Sequence, residues 1–104
     1  GFLGAQQKTI DREARINLKL IQTAEKTYEL EEGQYAACTT GVAANANIHC
    51  NNVLHLDLPP STVNGGNWTY AVRLTGGGND FRATATGAKG TQNWTIDEDT
   101  DEAF

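Results

Sequence analysis

Two cysteines, two histidines and a run of alternating aspartates have the widest chemical scope in this chain. Cys38 and Cys50 are the only cysteines, and His49 and His55 lie close to the second. Such a set could form a disulfide, hold a metal through thiolate and imidazole, or persist as free thiols. The spacing fits no familiar zinc pattern, and both histidines read as surface loop residues. A bridge would close a loop of about 13 residues and contribute roughly 3 kcal/mol in the chain-entropy view. Asp97, Asp99 and Asp101 put hard oxygens at alternate positions, which could hold Ca²⁺. Glu102 stands where an EF-hand loop needs its glycine. A solvated acidic tail is therefore the preferred reading, and no cofactor is expected.

Other chemistry has less material. Asn67-Trp68-Thr69 and Asn93-Trp94-Thr95 match the N-glycosylation sequon, but both sit where strands should begin. Trp68, Tyr70, Phe81 and Trp94 could stack on sugars, yet aromatics of a small domain more often form its core. Ser61 is the only serine and follows two prolines. No glycine-rich phosphate cradle opens a helix, and no nucleophile has a paired base. An enzyme is not expected.

The elements that must position these residues fall into four stretches. The 104 residues make one domain. Residues 1–33 are helical by composition, with Ile10, Ala14, Leu18, Ile21, Ala24 and Tyr28 at steps of three and four. Ile16 and Leu20 read as widening that stripe. Asp11 and Arg15 form a favourable i,i+4 pair, and Gly33 supplies a stop. A helix over about residues 4–32 would be roughly 43 Å long. A domain of this size has a radius of gyration of only about 13 Å. The helix should therefore project beyond its domain, with Phe2 and Leu3 at the overhanging end. Residues 34–66 form a connector holding both cysteines, in which Leu54, Leu56 and Leu58 alternate. Residues 67–97 change to period two. Trp68 to Thr75, Phe81 to Thr86 and Trp94 to Asp97 read as strands, parted by turns at 76–79 and 87–90. Residues 98–104 are an acidic tail. The fold class is α+β: a long N-terminal helix packed on a three- to four-stranded antiparallel meander.

Charge sharpens this division. Eight Lys and Arg face thirteen Asp and Glu, for a net charge of −5, and five of the acids lie in the last eight residues. The body is balanced, so no nucleic-acid partner is expected. The tail stays solvated, or meets a cation or a neighbour's Arg73, Arg82 or Lys89. No Met occurs anywhere, which points to a processed or truncated N-terminus.

The stretch from Ala14 to Tyr28, read as Ala-Arg-Ile-Asn-Leu-Lys-Leu-Ile-Gln-Thr-Ala-Glu-Lys-Thr-Tyr and closed by Gly33-Gln34-Tyr35, resembles the helix of type IV pilins and pseudopilins. Leu58-Pro59 and the segments Trp68 to Val72 and Phe81 to Thr86 are also similar to that family. The resemblance spans roughly residues 5–97. It implies a filament subunit whose helix continues upstream of Gly1 into an apolar segment of about 20 residues, anchored in the inner membrane before assembly. It implies an extracytoplasmic site, where a Cys38–Cys50 bridge is favoured. Cys38 and Cys50 lie in the connector, whereas many pilins bracket a C-terminal loop with their cysteines, so a receptor role for that loop does not transfer.

The expected function is a structural subunit of a pilus-like surface filament. Its partners would be further copies of itself, the assembly machinery and the inner membrane. The assembly helix would use Phe2, Leu3, Ile10, Ala14, Leu18, Ile21 and Tyr28. A type II secretion pseudopilin is the alternative within the family, with calcium in the acidic tail as its mark. A stand-alone extracytoplasmic binding module is the alternative of another class.

Overall fold

The computed structural model describes residues 2–88 and 92–104; the side chains of Phe2 and Leu3 lie outside this description, as do Gly1 and 89–91. Helix α1 runs Phe2–Glu32 for 31 residues. At 1.5 Å per residue it is about 46 Å long, which matches the molecule's longest dimension of 46 Å. Gly33, at φ +84°, ends it by donating its N–H to the Glu29 carbonyl. Only glycine enters that left-handed conformation without strain.

Four antiparallel strands follow in the order β1-β2-β3-β4: β1 Cys38–Thr39, β2 Trp68–Thr75, β3 Asp80–Gly87 and β4 Trp94–Asp97. The last three are the expected meander, with Val72 opposite Ala83 and Ala83 opposite Ile96. The turn expected at 76–79 is a 3₁₀ turn over Gly76–Gly78. The turn expected at 87–90 begins later, since Gly87 closes β3 and residues 89–91 lie outside the described residues. The connector contributes β1, which pairs with Val72 and Ala71, and a short helix α2 over Cys50–Val53. Leu54, Leu56 and Leu58 form no strand. Leu54 and Leu58 are buried, and Asn51 holds the segment by accepting from the Leu58 N–H and donating to its carbonyl.

Period two on the strands and period 3.6 on the helix meet in one core. Trp68, Tyr70 and Val72 from β2, Phe81, Ala83 and Ala85 from β3, and Ile96 from β4 are buried together with Ala14, Leu18 and Ile21 of α1. The small Ala83 and Ala85 let α1 lie close across β3 and β4, where its closest backbone approach to the sheet lies. Of the aromatics weighed as a sugar platform, Trp68, Tyr70 and Phe81 are core and Trp94 is partly buried against it. Tyr35 adds an edge-on contact to Phe81 at 4.8 Å between ring centres.

A candidate assembly face on the long helix

The helix has two faces with opposite fates. Inward, Ala14, Leu18 and Ile21 are wholly buried beneath the subunit's own sheet. Ile10 and Tyr28 are half-buried at the two ends of that contact. These residues were expected to serve assembly; in the folded chain they are committed to its own core. Phe2 and Leu3 belong to the same expected set, but their side chains lie outside the described residues. Outward, Ile16 and Leu20 are 50% and 49% exposed. They do not widen the buried stripe, because a residue two positions from Leu18 points about 200° around the helix. Ile16, Leu20, Thr23, Thr27 and Leu30 follow steps of four and three along this open face.

Polar groups lock the inward face in place. The Trp68 indole donates to the Ile10 carbonyl at 2.8 Å, and the Trp94 indole donates to Asp11 Oδ1 at 3.2 Å. Gln7 donates to the same oxygen at 3.0 Å. Arg15 lies over the Trp94 ring, 5.4 Å from its centre. Both partners of the expected Asp11–Arg15 pair are therefore drawn toward Trp94. Asn17 donates to the Tyr70 hydroxyl at 2.9 Å. Burial pushes the Tyr70 phenol up to about 12, against a smaller lowering by the Asn17 bond. Residues Gly4 to Thr9 are all exposed. The first two turns of α1 therefore stand clear of the sheet.

The acidic tail is docked on α1. Gln22, itself buried, donates to the carbonyls of Asp97 and Thr100, both at 2.7 Å. Lys19 Nζ donates to the Asp101 carbonyl at 2.6 Å. Phe104 exchanges two backbone hydrogen bonds with Thr95, each 2.7 Å, which extends the sheet by one residue pair. Arg73 and Arg82, which a neighbouring copy was expected to offer to the tail, stand exposed on β2 and β3, and Lys89 lies outside the described residues. Asp97 Oδ1 accepts from the N–H groups of Asp99 and Thr100, so this carboxylate shapes its own turn. Asp101 is exposed. Among the described residues no group of three or more His, Cys, Asp or Glu side chains has metal-holding geometry. Asp80 shares a hydrogen bond with Glu98, which raises the Asp80 pKa.

The cysteines settle one open choice. Cys38 and Cys50 are joined in a disulfide that ties β1 to α2. No thiolate is then left for zinc, and His49 Nδ1 accepts from the Asn51 N–H to cap α2. His49 is buried, contrary to its reading as a surface residue, while His55 is exposed. Of the sequon asparagines, Asn67 donates to Glu13 and Asn93 accepts from the Gly87 N–H.

One buried group escaped the sequence reading. Glu25 is completely buried in α1; its Oε1 accepts from the Ala36 N–H at 2.8 Å, and its Oε2 has no partner. Burial raises its carboxyl to about 7, against a smaller lowering by the Ala36 bond. The signal was there: Leu18, Gln22 and Glu25 share one helix face by spacing, so two polar side chains had to enter the core. Comparison with protein-family models, curated proteins and solved structures gives no match.

Proposed function

We propose that this chain is a structural subunit of a type IV pilus-like filament. One observation carries the reading: α1 outruns the sheet by two exposed turns and leaves an apolar-dotted face open along its length. A helix that served only its own domain would need neither feature. In the filament, α1 and the apolar segment expected upstream of it bundle along the axis, and the sheet lies outside. Subunits are held without covalent links. Before assembly the upstream segment anchors the subunit in the inner membrane with its β-domain facing outward, and the pilus machinery then moves it into the polymer at the cell surface.

A secretion pseudopilus would use the same helix. Calcium dependence of the tail would favour that alternative; in this chain Gln22 and Lys19 donate to the tail carbonyls of Asp97, Thr100 and Asp101. A binding module would need an exposed aromatic platform, whereas Trp68, Tyr70 and Phe81 are buried. The reading is tested on the codons upstream of Gly1. They are expected to encode a short basic leader ending in Gly and then about 20 apolar residues. A cleavable secretion signal there, or a Met start at this position, would overturn it.

A further inference from the structure

The open face of α1 is chemically uneven along its length. Residues 8–19 carry four bases, Lys8, Arg12, Arg15 and Lys19, against Asp11 and Glu13. Around Leu30 stand Lys26, one turn before it, and Glu29 and Glu31 on either side, while Glu32 points about 200° away. The first half also holds a groove of about 360 Å³, with Arg12, Arg15, Ile16 and Lys19 on one wall and Asp101 and Glu102 of the docked tail on the other. The second half holds the matching shape. Leu30 is 84% exposed, the most exposed large apolar side chain among the described residues, and glutamates adjoin it. A leucine held in water this way leaves its apolar surface available to a partner.

We infer that the Leu30 end of α1 in one copy seats in the Arg12–Ile16–Lys19 groove of a second copy. Leu30 meets Ile16, the flanking glutamates meet the basic wall, and Lys26, one turn before Leu30, meets Asp101 and Glu102. The mixed signs of knob and groove match in both directions, which a uniformly acidic or basic partner could not do. Ile16 and Leu30 are 14 residues apart, two full heptads, so both patches lie on one helix face. Parallel copies joined in this way are displaced by roughly 21 Å along the helix axis. The contact uses different patches on its two sides, so it repeats in an open row and never closes. This parallel arrangement rests on the filament reading. An antiparallel pair could seat both knobs at once and would stop at two copies.

Cross-linking separates these arrangements. The folded chain is prepared with Ile16→Cys and Leu30→Cys together, its native disulfide kept intact, and oxidised at high concentration and in any filaments recovered from cells. A ladder of covalent multimers is expected. A single dimer band, or efficient self-linking of Thr23→Cys at the centre an antiparallel pair would share, overturns the parallel contact. Absence of inter-chain links overturns it as well. On the same cysteine pair, Arg12→Glu should lower the multimer yield about threefold, and adding Glu31→Lys should restore it; both sites are exposed, so neither change disturbs the core. Failure of that rescue would contradict the charge match. Filaments that contain the chain but give no 16–30 links would sink this contact and leave the filament reading intact. A ladder from the purified chain supports the contact whatever the fate of that reading.

Discussion

The two faces of α1 are built from similar residues and treated in opposite ways. Leu18 and Leu20 are the same residue type two positions apart and opposite in environment: the first is wholly buried and the second is 49% exposed. The inward face is complete within one chain, since its apolar groups meet the sheet and most of its polar groups have partners. The outward face contributes little to folding and keeps apolar groups in water. The difference teaches that the helix is longer and more apolar than its own domain needs. The surplus lies on one side, where another copy can reach it.

Four substitutions can break or sharpen this contrast. Leu18→Ala should have the largest effect, a loss of about 3–4 kcal/mol in urea unfolding, because it opens a cavity at the centre of the core. A loss under about 1 kcal/mol would show that α1 is not docked as described. Gln22→Ala comes next, at about 2 kcal/mol, because two carbonyls lose a donor and the tail loses its anchor. Hydrogen exchange at the Phe104 and Thr95 amides should rise in that variant, as their pairing depends on the docked tail.

Glu25 gives a pH-dependent effect of opposite sign. Its carboxyl titrates near 7 when folded, against 4.5 when solvated. Between those values the unfolded chain releases a proton that the folded chain keeps, so stability falls as pH rises and levels off above 7. Glu25→Gln should flatten this slope and stabilise the chain at neutral to basic pH by about 1–2 kcal/mol. Urea midpoints of both proteins across that range check it. An unchanged slope would place the titration elsewhere. The smallest effect is expected for Leu20→Ala, under about 0.5 kcal/mol, since a half-exposed side chain on the open face leaves no cavity. The same change should weaken self-association, the separation of stability from assembly that the two faces imply.

Periodicity made most of this fold legible. The steps between Ala14, Leu18 and Ile21 placed the helix, and alternation from Trp68 to Leu74 and from Phe81 to Ala85 placed the strands, because each pattern directly reflects burial on one face. The meander's pairing followed from its turns. What stayed hidden depends on distant partners. Lys19 and Gln22 reach the tail across 75 to 82 residues of sequence, and no local pattern reports such a bond. The tail therefore read as solvated. The Cys38–Cys50 bridge was expected and is present, but that it ties β1 to a short helix was not readable from the connector's composition. The outward position of Ile16 and Leu20 was readable from helix geometry; counting apolar residues without their angles merged two faces into one stripe.

The central claim is that this chain is built into a surface filament. Immunogold electron microscopy of filaments sheared from intact cells, with antibodies raised against the folded chain, tests it most directly. Regular labelling along the filament length is predicted, because the proposed packing puts the sheet outside α1 in every subunit. Unlabelled filaments, with the chain recovered only from soluble fractions, would contradict it.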